Sequence, residues 1–252
     1  MKALITIMGV CLTLVPTLAV CQMDIYANPK NLKVLPEDIS PRDLSNTMKD
    51  FATGVGVRCA TCHVGEAGQP LSSFDFAADD REMKAKARLM IRMVNAINAE
   101  HISGLDEVAP SDHGMRVNVR CVTCHRGLRL PQMTDEVLDE TLNADGLEAA
   151  LDKYGELREQ YYGTHSFDFE EFMLPFYAQR LAAKKQINEA IAFLKLNAQH
   201  FPESSYTYFV LGEASVIAGD YAAAVESYGR AAELDPDMAD FLKQKIHSLN
   251  AK

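Results

Sequence analysis

Four cysteines and two histidines of this chain stand in two identical arrangements, Cys59-Ala60-Thr61-Cys62-His63 and Cys121-Val122-Thr123-Cys124-His125. Two thiols three positions apart on a helical turn can each form a thioether to one vinyl group of a porphyrin. The imidazole that follows then lies under the iron as its proximal ligand. Three other chemistries use paired cysteines: one structural zinc held by both pairs, two redox dithiols, or crosslinks among the four. Zinc gives no reason for a histidine directly after both pairs, and a dithiol site calls for no duplicate. The doubled pattern therefore predicts two covalently bound haem c groups. Cys59, Cys62, Cys121 and Cys124 would form the thioethers, and His63 and His125 would bind iron.

The other two cysteines, Cys11 and Cys21, lie in or at the edge of an N-terminal segment with the pattern of an export signal. Lys2 is its only charge before Asp24, and the apolar run from Ala3 to Val20 is broken by Pro16. A spanning helix needs about 20 unbroken apolar residues, so residues 1–21 are read as a cleaved signal. Leu18-Ala19-Val20-Cys21 resembles a lipobox, which would place a lipid on Cys21 and tether the protein to a membrane. Val20 departs from the small residue usual there, and cleavage after Cys21 or near Ala27 is the alternative. Both readings expect an exported protein: periplasmic, anchored at the outer membrane, or extracellular.

Composition adds limits. Of 252 residues, 48% are hydrophobic and 24% charged, which is globular rather than disordered. A net charge of -10 gives no sequence-independent attraction to nucleic acid. The charge is uneven: residues 28–131 carry 14 basic and 13 acidic side chains, a net of +1, whereas residues 132–252 carry 10 and 21, a net of -11.

The elements that must position the motifs are helical. Residues 44–51 have helical character and hold Met48, 11 positions before Cys59, followed by a small-residue turn over 53–57. Residues 79–98 read as a long helix started by Asp79 and Asp80, with Met83, Ala87, Met90, Val94 and Ile97 forming a stripe of 3.6-residue period. Methionine in such a stripe ordinarily fills core.

Taken in order, Asn31-Leu32-Lys33-Val34-Leu35-Pro36, the Met48 helix, the first motif, the run 87–98 and the second motif with Arg126-Gly127 resemble the cytochrome subunit of the photosynthetic reaction centre, or one half of that four-haem protein. The resemblance covers roughly residues 28–131. It implies a helix against each haem that supplies a methionine as sixth ligand, Met48 to the first and Met90 to the second. It also implies that a histidine near 100–119 can reach a haem of another half. This chain has two motifs rather than four and a longer 100–119 segment, which leaves His101, His113 and Met93 as alternatives at the second haem. Arg88, Arg92, Arg120 and Arg126 are candidates to pair with propionates, against a default of solvated surface.

The C-terminal half repeats. Pro202 and Pro236, Ala190 and Ala224, and Leu194 and Tyr228 are each 34 residues apart, the tetratricopeptide period. Residues 205–238 match that pattern well and 171–204 more loosely. Residues 239–249 would cap the array, 144–161 would pack on its other end, and 132–143 would be a polar linker. The half has no nucleophile–base constellation; its histidines, His165, His200 and His247, are scattered. A groove for a partner protein or for another copy is favoured over simple bracing.

The expected fold is all-α: a helical dihaem cytochrome c domain over 28–131, then a short tetratricopeptide-repeat solenoid over 144–252. The expected role is electron transfer with redox partner proteins, with self-assembly into a haem chain or filament left open. The alternative is a dihaem redox enzyme such as a peroxidase, which needs one iron with a free sixth position. Because both motifs precede the linker, a fragment ending near Asp139 would be expected to keep both haems.

Overall fold

The computed structural model describes residues 25–108 and 117–250, with the side chains of 106–108 excepted. The signal segment, Cys21 and His113 lie outside the described residues. Among the described residues the fold is all-α, with no strand and an isolated bridge between Val64 and Asp75. No helix among them is long and apolar enough to cross a membrane. The chain divides into two compact units, Met1–Met48 with Cys59–Leu89, and Lys49–Arg58 with Met90–Lys252.

In the first unit, α1 (Pro41–Val55) starts at Ser40. The Ser40 hydroxyl accepts from the Asp43 N–H at 3.2 Å and donates to the Asp43 carboxylate at 2.7 Å, so the first turn is capped and Pro41 adds a preset φ. Leu44 is buried below it. The first Cys pair opens and closes α2 (Cys59–Cys62), and the His63 N–H continues that turn to the Cys59 carbonyl at 2.9 Å. The chain then loops back at the Val64–Asp75 bridge, where Gly65 lies under the Phe74 ring: a Cβ there would sit 2.4 Å from it. α3 (Glu82–Ala96) follows. It begins three residues later than the sequence suggests, because Asp79 is drawn into an ion cluster rather than left to cap the helix.

In the second unit the last turns of α1 meet the second motif. Gly54 accepts through its carbonyl from the Gly127 N–H at 3.0 Å, and a Cβ on Gly54 would lie 3.0 Å from the Val122 nitrogen. Gly56 ends α1 at φ +67, with the Gly127 carbonyl oxygen only 1.8 Å from where a Cβ would stand, so no other residue fits. α3 widens at its end into a π-helical turn (Ile97–Ile102) before α4 (Ser103–Val108). The second motif forms α5 (Cys121–His125), closed by Arg126 at φ 50 and Gly127 at φ 83.

The remaining helices are α6 (Thr134–Asp145), α7 (Leu147–Tyr161), α8 (Met173–Ala183), α9 (Ile187–His200), α10 (Ser205–Ala218), α11 (Tyr221–Leu234) and α12 (Ala239–Asn250), each packed on the next or next but one. The 34-residue pairs occupy matching buried positions: Ala190 and Leu194 in α9, Ala224 and Tyr228 in α11. Gly212 lets the Tyr228 ring approach α10, since a Cβ would lie 2.5 Å from it.

Residues 134–143 of the segment expected to be a linker lie in α6, which belongs to this core. Leu138 and Leu142 of α6, one turn apart, are buried with Ala150, Tyr154 and Leu157 of α7 and Leu174 and Tyr177 of α8. Its acidic face, which reads as linker in the sequence, clamps α8 instead. Asp135 pairs with Arg180, and Asp139 accepts from the Tyr177 hydroxyl and the Lys184 ammonium, both at 2.9 Å. Thr134 is buried and its hydroxyl both donates to the Asp168 carbonyl and accepts from the Asp168 N–H at 2.9 Å. A chain cut near Asp139 would therefore run through a packed helix. Leu138→Ala should cost about 2–5 kcal/mol through the cavity it leaves, read as a lower denaturation midpoint. A change under about 0.5 kcal/mol, as at an unpacked surface position, would contradict the place of α6 in the core.

Candidate functional site

Each C-x-x-C-H turn presents two free thiols and an imidazole. In both motifs one thiol is exposed, Cys59 and Cys124, and its partner, Cys62 or Cys121, is half-buried. Burial pushes the Cys62 thiol above its ordinary pKa, with Cys59 adding to the effect. Burial likewise raises Cys121, helped by Cys124 and by the carboxylate of Asp50. A redox dithiol needs the opposite, a depressed thiolate pKa. Among the described residues no group of three or more His, Cys, Asp or Glu side chains gathers as a metal-ion site, whereas a structural zinc needs four ligands.

The two imidazoles are held in two different ways. At the second motif, His125 Nδ1 lies 2.9 Å from the Leu128 carbonyl oxygen. A carbonyl only accepts, so Nδ1 carries the hydrogen and Nε2 keeps the free lone pair that a metal requires. That carbonyl reaches the ring because the chain turns back through Arg126 and Gly127, and the Leu128 N–H closes the turn on the His125 carbonyl at 2.8 Å. Leu128 is buried, and the Ser166 hydroxyl donates to the Arg126 carbonyl at 2.8 Å, which ties this turn to the segment after α7. At the first motif, burial lowers the pKa of His63, with further lowering by the positive charges of Lys84 and Arg88 against a raising effect of the Phe76 backbone, so the neutral form is favoured. His63 Nδ1 is buried beside that backbone. The nearby Phe76 carbonyl already accepts from Lys84 at 2.9 Å, and the Phe76 ring stands edge-on to the imidazole at 4.9 Å.

The candidate sixth ligands divide between the same units. Met48 is half-buried and falls in the unit of Cys59–Cys62 and His63. Met90 and Met93 fall in the unit of the second motif, and both are exposed on α3, at 40% and 43%. His101 is exposed in the π-helical turn. Leu105, Val117 and Val122 of the same unit are exposed as well. Large apolar side chains so exposed are surface that a flat apolar macrocycle would bury.

Several positioning residues carry no sequence signature. Asn98 grips the approach to the second motif: its amide donates to the Val119 carbonyl and accepts from the Val119 N–H, both at 2.8 Å. Lys84 is buried although lysine is ordinarily read as surface. Of the arginines considered for propionates, Arg88 bonds Asp79 and the Asn31 carbonyl, and Arg126 bonds the Gln132 carbonyl and the Met133 sulfur. Arg92 and Arg120 are exposed.

Residues 42–143, which hold both motifs, Met48 and Met90, match the family described as photosynthetic reaction centre cytochrome C subunit. Cytochrome c-554 of Chloroflexus aurantiacus is 34% identical over 101 residues, which are 40% of this chain and 21% of that relative. The similarity therefore spans about a fifth of the relative's length. Joined to the thiol and imidazole geometry of the two turns, these similarities support a c-type cytochrome, whose haem c is held covalently.

Proposed function

We propose that this chain carries two haem c groups and transfers electrons outside the cytoplasm, with its helical repeats serving as a docking surface. The observation that carries the haem reading is His125, whose Nδ1–H is committed to the Leu128 carbonyl and whose Nε2 is thereby left for iron. When bound, haem c supplies an iron that alternates between ferrous and ferric and so holds or releases one electron. The chain's own residues do the rest. Cys59 and Cys62, and Cys121 and Cys124, anchor the two macrocycles. His63 and His125 would bind iron through their imidazoles, and Met48 and Met90 would supply its thioether ligands. Iron so ligated would leave no place for a substrate, which is the condition of a carrier rather than a peroxidase. Residues 1–21 export the chain, with Cys21 as a lipid attachment point.

Support for docking comes from the tetratricopeptide spacing and from aromatic side chains left open on the repeats. Phe172 and Phe176 are both exposed, stacked on one another at 6.1 Å and edge-on to Tyr206 at 5.5 and 5.9 Å. Rigid aromatic surface of this kind is typical of protein contacts. The surface would take a redox partner or a further copy of this chain.

Three outcomes test this reading. Cys62→Ala should leave the first haem held by one thioether, with one vinyl group unreacted, so that the absorption of the reduced, denatured haem protein moves to longer wavelength. An unshifted band would exclude Cys62 as an anchor. Met48→His should keep the first haem six-coordinate and lower its potential, because imidazole stabilises ferric iron more than a thioether does, and Met90→His should do the same to the second. If Met90→His moves neither potential while His101→Ala, His113→Ala or Met93→Ala makes a haem high-spin, the residue so identified is the ligand. Phe176→Asp should weaken self-association or partner binding, measured by size at several concentrations, with the haem spectra unchanged. Undiminished association would remove the docking role from this face.

A further inference from the structure

The first motif stands beside an unusual concentration of fixed positive charge. The Asp79 carboxylate is shared by three cations: Lys33 Nζ at 2.7 Å, Arg88 Nη1 at 2.8 Å and Lys84 Nζ at 3.2 Å. One negative charge against three positive leaves an excess of two. Asn31, held at φ 65, braces the cluster by donating to Asp79 at 2.9 Å and to the Ala77 carbonyl at 2.6 Å. Two of the cations are withdrawn from water, with the Lys84 side chain 10% exposed and that of Arg88 12%. Lys84 donates to three successive carbonyls, Phe76 at 2.9 Å, Ala77 at 3.2 Å and Ala78 at 2.6 Å, and Arg88 donates to the Asn31 carbonyl at 3.2 Å. Neither head can swing into solvent without abandoning those partners, so their fields are weakly screened.

We infer that Lys84 and Arg88, locked in the Asp79 cluster, are potential-setting residues that hold the haem at His63 toward its reduced form. The inference rests on the two-haem reading above. Oxidation at that site removes one electron, which goes to the redox partner, and adds one positive charge to the iron and its ligands. Fixed cations nearby oppose that step. The same lysine also sets the wall of the site, since the Phe76 carbonyl it holds belongs to the residue whose ring packs on His63. Among the described residues nothing comparable gathers at the second motif, where the acidic Asp50 bears on Cys121 and the Arg126 guanidinium is turned to Gln132 and Met133.

Potentiometric titration of the full-length dihaem protein separates this from simple packing, through the sign of the shifts. Lys84→Gln and Arg88→Gln each remove a cation and should lower the potential of the haem that also answers to Met48→His. Asp79→Asn removes the one carboxylate and should raise it. Loosened packing would admit water and lower the potential in all three variants. Arg88→Gln, which spares the three carbonyl contacts of Lys84, keeps the test open if Lys84→Gln fails to fold. A fall in every variant, no shift in any, or a shift confined to the haem that answers to Met90→His overturns the inference. A purified protein with fewer than two attached haems would instead overturn the reading beneath it.

Discussion

An imidazole can bind iron only when one ring nitrogen is relieved of its hydrogen, and at His125 a single hydrogen bond accomplishes this. Much of the second site exists to bring the Leu128 carbonyl to Nδ1. The chain must reverse at once after the motif, which places Arg126 and Gly127 in left-handed backbone. The reversed turn must then be held, and Gly54 and Gly56 of α1 hold it from one side, where any Cβ on Gly56 would strike the Gly127 carbonyl. Ser166 holds it from another, through the Arg126 carbonyl. Asn98 fixes the strand of chain that enters the motif. The second site is thus assembled from four separate segments, one of them beyond the haem half as read from the sequence.

The first site reaches the same end by electrostatics. The neutral form of His63 is favoured by burial and by the cations beside it. Those cations are kept where water would otherwise claim them by an array of carbonyl groups and one shared carboxylate, whose own protonation is pushed well below the usual range by Lys33 and Asn31 foremost. Burying an ammonium is costly unless its hydrogen-bonding is complete, and Lys84 meets that condition with three carbonyls and Asp79. Two pentapeptides that differ only at Ala60 and Val122 therefore sit in unlike surroundings.

The proposed chemistry is read from the sequence alone because thioether attachment would be a local constraint: both cysteines and the histidine must share one helical turn, so spacing carries the signal. The all-α architecture was legible for a similar reason, through the stripe on α3 and the 34-residue recurrence of Ala190 with Ala224 and Leu194 with Tyr228. What could not be read were contacts that depend on partners far along the chain. Lys84 looks like a surface residue until residues 76–78 turn their carbonyls toward it. Asp79 looks like a helix start until Lys33 and Arg88 reach it. Residues 132–143 look like a linker because four carboxylates outweigh one buried stripe, and only Tyr177, Arg180 and Lys184 of α8 reveal what Asp135 and Asp139 are for.

The central claim is covalent attachment of two haems through the two C-x-x-C-H turns. Mass measurement on the denatured, exported protein addresses it without assuming any ligand or potential. The polypeptide should be heavier by two haem groups that persist through unfolding, and fragments holding Cys59–Cys62 and Cys121–Cys124 should each carry one. A denatured chain of bare polypeptide mass, or one with both thiol pairs free to react, would contradict it.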